Sequence, residues 1–340
     1  MPMKPKALVD PHPRTLELLF NPDDLKALKS LVTMTVWEGS RMPADTVEKH
    51  LPDATILIGQ PDLPRERLMR ATKLKAVINV EGNPQPNVDY ACCFERGIHV
   101  LNAGAAFGKA VAEMALGMAL ASIRGIAEAD RLFRRKQEVY GRFSNQESFL
   151  LSGAEVGFVG FGNLGRALLK LLQPFRCLVR VYDPWLPDRS LAEAGMEPAP
   201  LETVLRTSRV LFVLAGATNE NRAMLGAREL DLLPRGSSLV LVSRASLVDC
   251  DALTKKLAAG DIRAAVDVFP EEPVPKSHPL RRLPNVILSA HRAGSLSAAY
   301  RLMGEMIVDD VGQILKGLPP IRLQRMERET VGRMRSMPVR

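Results

Sequence analysis

The chain has 340 residues, 46% hydrophobic and 25% charged, with a formal net charge of +8 and a mean hydropathy of −0.02. It is too long for one typical domain and ordinary for a soluble globular protein, which excludes collagen-like, low-complexity and small disulfide-scaffold classes and makes two domains the natural expectation. Four cysteines with no C-x-x-C pair give neither a zinc nor a thioredoxin-like signature, no apolar run approaches the ~20 residues of a bilayer span, and the N-terminus shows no signal-peptide pattern, so reduced thiols, no membrane and a cytoplasmic location are expected.

In chain order, short apolar runs alternate with amphipathic stretches. The first half offers strands at Lys6–Val9, Val32–Trp37, Thr55–Gly59, Lys75–Val80 and His99–Asn102, with helical patterns at Leu16–Leu31 and Val88–Gly97. A helix rich in Ala and Gly follows at Ala110–Ile126, then a polar, Arg-rich segment at Ala127–Ser148 without strand signals. A second series has strands at Glu155–Gly160, Leu178–Asp183, Val210–Leu214, Ser238–Val242, Arg263–Val268 and Val286–Ser289. A long amphipathic helix, Ser297–Lys316, closes at Gly317 and Pro319–Pro320. Such alternation predicts an α/β fold with two doubly wound parallel-sheet domains. The last twenty residues hold six Arg against two Glu, half of the net charge. No nucleic-acid motif accompanies them, so a solvated terminus is expected and a nucleic-acid partner is not.

The sharpest signal is Glu155–Gly165, EVGFVGFGNLG: an apolar strand, a G-x-G-x-x-G turn, then a helical pattern. Gly160 permits the tight turn, Gly162 lets backbone approach a pyrophosphate, and Gly165 lets helix and strand pack closely. The pyrophosphate meets backbone N–H groups of Asn163, Leu164 and Gly165 at the helix N-terminus. Asp183 ends the next strand, 18 residues after Gly165. A carboxylate there accepts from ribose hydroxyls and repels a 2′-phosphate, which favours NAD over NADP.

Three downstream segments, LVSRASLVDCDAL, AAVDVFPEEPVP and NVILSAHRAG, each follow or end a strand pattern. Ligands of open α/β sheets sit beyond the carboxyl ends of the strands, so Arg244, the Asp267–Glu272 segment and His291 are expected to meet in one crevice. Reducing a 2-keto acid requires a proton donor for the carbonyl oxygen and a cation for the carboxylate. Histidine suits the first task and the planar, always charged guanidinium the second. A Glu beside the His would stabilise imidazolium.

From about Leu74 to Gly317 the chain resembles the D-isomer-specific 2-hydroxyacid dehydrogenases, on GFGNLG, Asp183, SRASLVD, VDVFPEEP and AHRAG in that order. The resemblance implies that Arg244 binds substrate, His291 is the acid/base and Glu272 its partner. It implies that Asp267 contacts the nicotinamide carboxamide and that Thr218 and Ser243 line the cofactor. It implies a flavodoxin-like substrate domain at 1–107 plus 297–340, a Rossmann NAD-binding domain at 108–296, and a homodimer using the helix at 110–126. The expected reaction is hydride transfer between nicotinamide and C2 of a 2-hydroxy or 2-keto acid. A dinucleotide-sensing regulatory protein of the same fold and a formate- or phosphite-type dehydrogenase are the alternatives.

The chain departs from family usage at Leu241, Ala245, Ala290 and the stretch Ala215–Thr218, none of which removes a catalytic group. The loop VEGNPQPNVD, 80–89, is the informative departure. By resemblance it wraps the substrate carboxylate with backbone N–H groups, with Glu81, Gly82 and Asn83 at the substrate. A carboxylate aimed into an anion site is unfavourable. Glu81 therefore points away, pairs with an Arg, or binds a hydroxyl or cationic group of an unusual substrate.

Overall fold

A computed structural model describes residues 3–144 and 146–333. The chain divides into two compact units, Met1–Phe107 with Leu296–Arg340, and Gly108–Ser295.

The first unit is built on strands β1 (Lys6–Val9), β2 (Thr33–Val36), β3 (Ala54–Ile58), β4 (Ala76–Asn79) and β5 (His99–Asn102). They pair in parallel in the order β2-β1-β3-β4-β5, and Gln324–Arg325 adds an antiparallel edge beside β5. Successive side chains in a strand point to opposite faces, and both faces are covered, so the strands read as nearly continuous apolar runs. One face packs Val9, Ile56, Ile58 and Leu101 against Met303, Ile307 and Val311 of the helix Ser297–Leu315. The opposite face packs Leu8, Leu57, Val77 and Val100 against Val47, Leu68 and Cys93.

The helix expected at Leu16–Leu31 is two helices, Leu16–Leu19 and Pro22–Leu31. Pro22 disfavours a helical backbone at Asn21, which sits at φ −71, ψ 166 and caps the second helix by accepting from the Asp24 N–H. The helix expected at Ala110–Ile126 starts earlier, at Gly104, and ends at Ile123. Gly125 then takes a left-handed conformation, and a separate helix, Ile126–Arg134, occupies part of the segment read as polar and without strand signals. The expectation that no run reaches bilayer length is also corrected. Gly104–Ile123 is 20 residues long, and its most apolar stretch has a mean hydropathy of 1.4 and is half buried within the protein. Ser122 near its end shares a hydrogen bond of 2.7 Å with Ser238 Oγ, as suits a packed core helix.

The second unit holds β6 (Glu155–Val159), β7 (Leu178–Tyr182), β8 (Glu197–Pro198), β9 (Val210–Val213), β10 (Ser238–Leu241), β11 (Arg263–Val266) and β12 (Val286–Leu288). All pair in parallel, in the order β8-β7-β6-β9-β10-β11-β12. This is the doubly wound dinucleotide-binding arrangement, and its strand order reverses between β6 and β9. The strands of this series end one or two residues before the apolar runs do, because Gly160, Asp183, Leu214 and Asp267 already belong to the loops that leave the sheet.

All four cysteines are free. Burial raises the Cys93 thiol to about 12 and the Cys250 thiol to about 11, so both stay protonated.

Candidate active site

The turn after β6 has the geometry a pyrophosphate needs. Gly160 takes φ +93, and a Cβ there would stand 2.6 Å from the Ala215 Cα, where the loops after β6 and β9 diverge. Gly165 faces Phe161 so closely that a Cβ would lie 2.9 Å from its ring. A Cβ on Gly162 would meet nothing within 4 Å, so the space before this turn is open. Gly162 caps the helix Asn163–Leu172, and the first intrahelical bond runs from the Arg166 N–H to Gly162 O. The N–H groups of Asn163, Leu164 and Gly165 precede that ladder, at the positive end of the helix dipole. The open space beside Gly162, the helix N-terminus and the nearby carboxylate fit a dinucleotide.

Asp183 braces this turn from the end of β7. Its Oδ2 accepts from the Phe161 N–H at 2.7 Å and its Oδ1 from the Trp185 N–H at 2.9 Å. Each oxygen keeps acceptor capacity for a ribose hydroxyl. Thr218 lies in the loop after β9, buried, with its N–H donating to Asn221 Oδ1 at 2.8 Å. Ser243 is also buried, and its hydroxyl donates to Val213 O at 2.8 Å, tying the ends of β10 and β9 together.

Arg244, His291 and Glu272 follow the ends of β10, β12 and β11. These strands are neighbours in the sheet, and about 4.8 Å separates adjacent strands. His291 Nδ1 stands 2.7 Å from Glu272 Oε2, and both side chains are partly exposed. Glu272 is itself oriented, because its Oε1 accepts from the Phe269 N–H at 2.9 Å. A carboxylate can only accept, so Nδ1 carries the hydrogen of this pair and Nε2 is left for proton exchange. His291 has φ +50, a conformation that costs a non-glycine residue about 1 kcal/mol or more and persists where surroundings over-determine it. Its N–H donates to Asp267 O at 2.7 Å. Arg244 is partly buried, and its Nη1 donates to Ser243 O at 2.6 Å.

Asp267 has a local structural task that the sequence did not announce. It has no solvent exposure, and its two oxygens accept from the Arg292 and Ala293 N–H groups at 2.9 and 3.0 Å. The carboxylate thereby clamps the loop that presents His291, and each of its oxygens keeps acceptor capacity for one further donor.

In the first unit, Glu81 pairs with an arginine. Arg14 Nη1 lies 3.0 Å from Glu81 Oε1 and donates to Val80 O at 2.6 Å. Gln60 Oε1 accepts from the Val80 N–H at 2.9 Å, and the Tyr90 hydroxyl donates to Gln85 O at 2.6 Å. The loop that contains Gly82 and Asn83 is thus fixed at both ends. Sequence reasoning missed Arg14, Gln60 and Tyr90. The one available signal was that Arg14 and Gln60 follow the ends of strand patterns.

A model of the NAD binding domain of the D-isomer specific 2-hydroxyacid dehydrogenases matches residues 116–293. The glyoxylate reductase of Thermococcus litoralis is 30% identical over 327 residues, 94% of this chain and 96% of that protein. The D-3-phosphoglycerate dehydrogenase of Methanocaldococcus jannaschii is 29% identical over 299 residues, and the match spans 87% of this chain but 56% of that longer protein. The crystal structure of a phosphoglycerate oxidoreductase from Rhizobium etli superposes with a TM-score of 0.86 at 43% identity, over 96% of this chain and 99% of that one. With the glycine turn, the Asp183 brace and the Glu272–His291 pair in place, this chain belongs to the D-isomer specific 2-hydroxyacid dehydrogenase family and carries its NAD-binding domain.

Proposed function

We propose that this protein is an NAD-dependent oxidoreductase that interconverts a 2-keto acid and a D-2-hydroxy acid. The observation that carries the reading is the 2.7 Å contact between His291 and Glu272, on loops leaving the sheet that also bears the dinucleotide turn. The bound dinucleotide supplies or accepts a hydride at C2. Gly160, Gly162, Asn163, Leu164, Gly165 and Asp183 hold it, and Thr218 and Ser243 shape the loops beside it. The Arg244 guanidinium grips the substrate carboxylate and polarises the keto oxygen. Gly82 and Asn83, in the other compact unit, are the further substrate contacts that the family resemblance implies. His291 Nε2 gives its proton to the keto oxygen, and Glu272 stabilises the imidazolium that must be present beforehand. In the oxidative direction the same nitrogen removes the hydroxyl proton.

The test is NADH oxidation, followed at 340 nm, across glyoxylate, pyruvate and hydroxypyruvate, with formate and phosphite assayed in the oxidative direction. Saturable turnover of at least one keto acid is expected. Turnover of none of them, with NADH still bound, would sink the reading.

We also assign the protein to homodimers. The helix Ile126–Arg134 buries none of its residues, and Ile126 and Phe133 are 56% and 60% exposed, with Tyr140 and Phe143 exposed further along. An apolar surface of this kind is characteristic of an interface, and a second copy is the occupant the family resemblance favours. Light scattering should give a dimer mass for the wild type and a monomer mass for Phe133→Glu. A monomeric wild type would refute the assignment. Four unpaired cysteines suit a reducing compartment, and we place the protein in the cytoplasm.

A further inference from the structure

We infer that Arg14 is a positioning residue that cancels the charge of Glu81, so that a loop bearing a carboxylate still accepts an anionic substrate. The inference rests on the keto-acid reading above.

Open α/β sheets bind ligands beyond the strand carboxyl ends where the strand order reverses. In the order β2-β1-β3-β4-β5 that point lies between β1 and β3. Arg14 follows β1, Gln60 follows β3, and Val80–Asn83 follow β4, so three loops meet at the place where the sheet is built to bind. They are bonded to one another there, Gln60 to the Val80 N–H and Arg14 to Val80 O and Glu81.

The arginine is set rigidly. Its side chain is only 12% exposed, and its guanidinium carbon lies 5.0 Å from the Tyr300 ring centre and 5.8 Å from that of Phe107. Phe107 also backs the loop, since a Cβ on Gly82 would stand 3.3 Å from its ring. Aromatic faces attract the cation and keep it from swinging into solvent. Glu81 keeps 29% of its side chain exposed, so its charge would act on the neighbouring binding space if it were unopposed. Opposite charges about 3 Å apart look nearly neutral to an anion several ångströms away, whereas either alone does not.

This makes the loop's formal charge the controlling variable. The pair sums to zero in the wild type, to −1 in Arg14→Gln, to +1 in Glu81→Gln, and to zero again in the double variant. Oxamate, an anionic mimic of a keto acid that is not reduced, is the probe. Its affinity is measured by calorimetry on the NADH complex, so the outcome does not depend on turnover. Arg14→Gln should weaken oxamate at least tenfold, Glu81→Gln should tighten it about threefold, and the double variant should return to within about threefold of the wild type. With glyoxylate, Arg14→Gln should raise KM far more than it lowers kcat. A double variant that binds oxamate as weakly as Arg14→Gln, or more weakly, overturns the inference, since a purely structural arginine gives that ranking. Failure of the wild type to reduce any keto acid, with the oxamate ranking intact, would instead count against the reaction and leave the charge pair standing.

Discussion

His291→Gln should lower kcat with a 2-keto acid by about a thousandfold while the dissociation constant for NADH stays within about threefold. General acid catalysis by a positioned side chain is worth roughly 10²- to 10⁴-fold, and a thousandfold corresponds to about 4 kcal/mol of barrier. Glutamine is close in size and keeps a polar group facing Glu272 Oε2, where the imidazole now stands at 2.7 Å. It has no proton to release near neutral pH. The dinucleotide turn belongs to other loops, after β6 and β7, so cofactor binding is insulated from the change. Stopped-flow reduction under single-turnover conditions, with NADH fluorescence titrations beside it, separates the two quantities. A rate within tenfold of the wild type would remove His291 from the proton step.

Arg244→Ala should lower kcat/KM by about a thousandfold, again roughly 4 kcal/mol, within the 2–5 kcal/mol range for truncating one partner of a desolvated charge pair. Arg244→Lys should recover little of it. The fork geometry of guanidinium engages carboxylate and keto oxygen together, and a single ammonium cannot. The residue's backbone is extended, at φ −145 and ψ 130, and its Nη1 is already braced on Ser243 O, so the side chain is aimed before substrate arrives. Steady-state kinetics on both variants decide the matter. A lysine variant with near-normal kcat/KM would show that only charge is needed at this position.

Much of this arrangement was legible in the sequence because it is local. The strand runs alternate with helical patterns, and the G-x-G-x-x-G turn with Asp183 at the next strand end needs only short-range spacing. Arg244 and His291 were readable because each sits within three residues of an apolar strand's end, whereas Glu272, six residues past β11, was singled out by the family resemblance. What was not legible depends on contacts distant in sequence. Glu81 finds its partner 67 residues earlier, and nothing in the run VEGNPQPNVD announces Arg14. The buried state of Asp267, clamped by Arg292 and Ala293, depends on how β11 and β12 align. Ile126–Arg134 was not named as a helix because none of its residues is buried, so no core-facing stripe stood out in a segment read only as polar and Arg-rich. The break at Asn21–Pro22 was readable, since proline disfavours a helical residue before it, but the apolar periodicity on either side obscured it.

The central claim is that one imidazole and one guanidinium meet the reacting end of the substrate. A crystal structure of the NADH–oxamate complex tests it most directly. The predicted result has His291 Nε2 within about 3 Å of the oxamate oxygen that mimics the ketone, the hydrogen-bond range required of a proton donor, with the Arg244 guanidinium on the carboxylate and Glu272 still holding Nδ1. Oxamate bound with the His291 ring more than about 5 Å from that oxygen, beyond hydrogen-bond reach even through a tightened contact, would contradict the account.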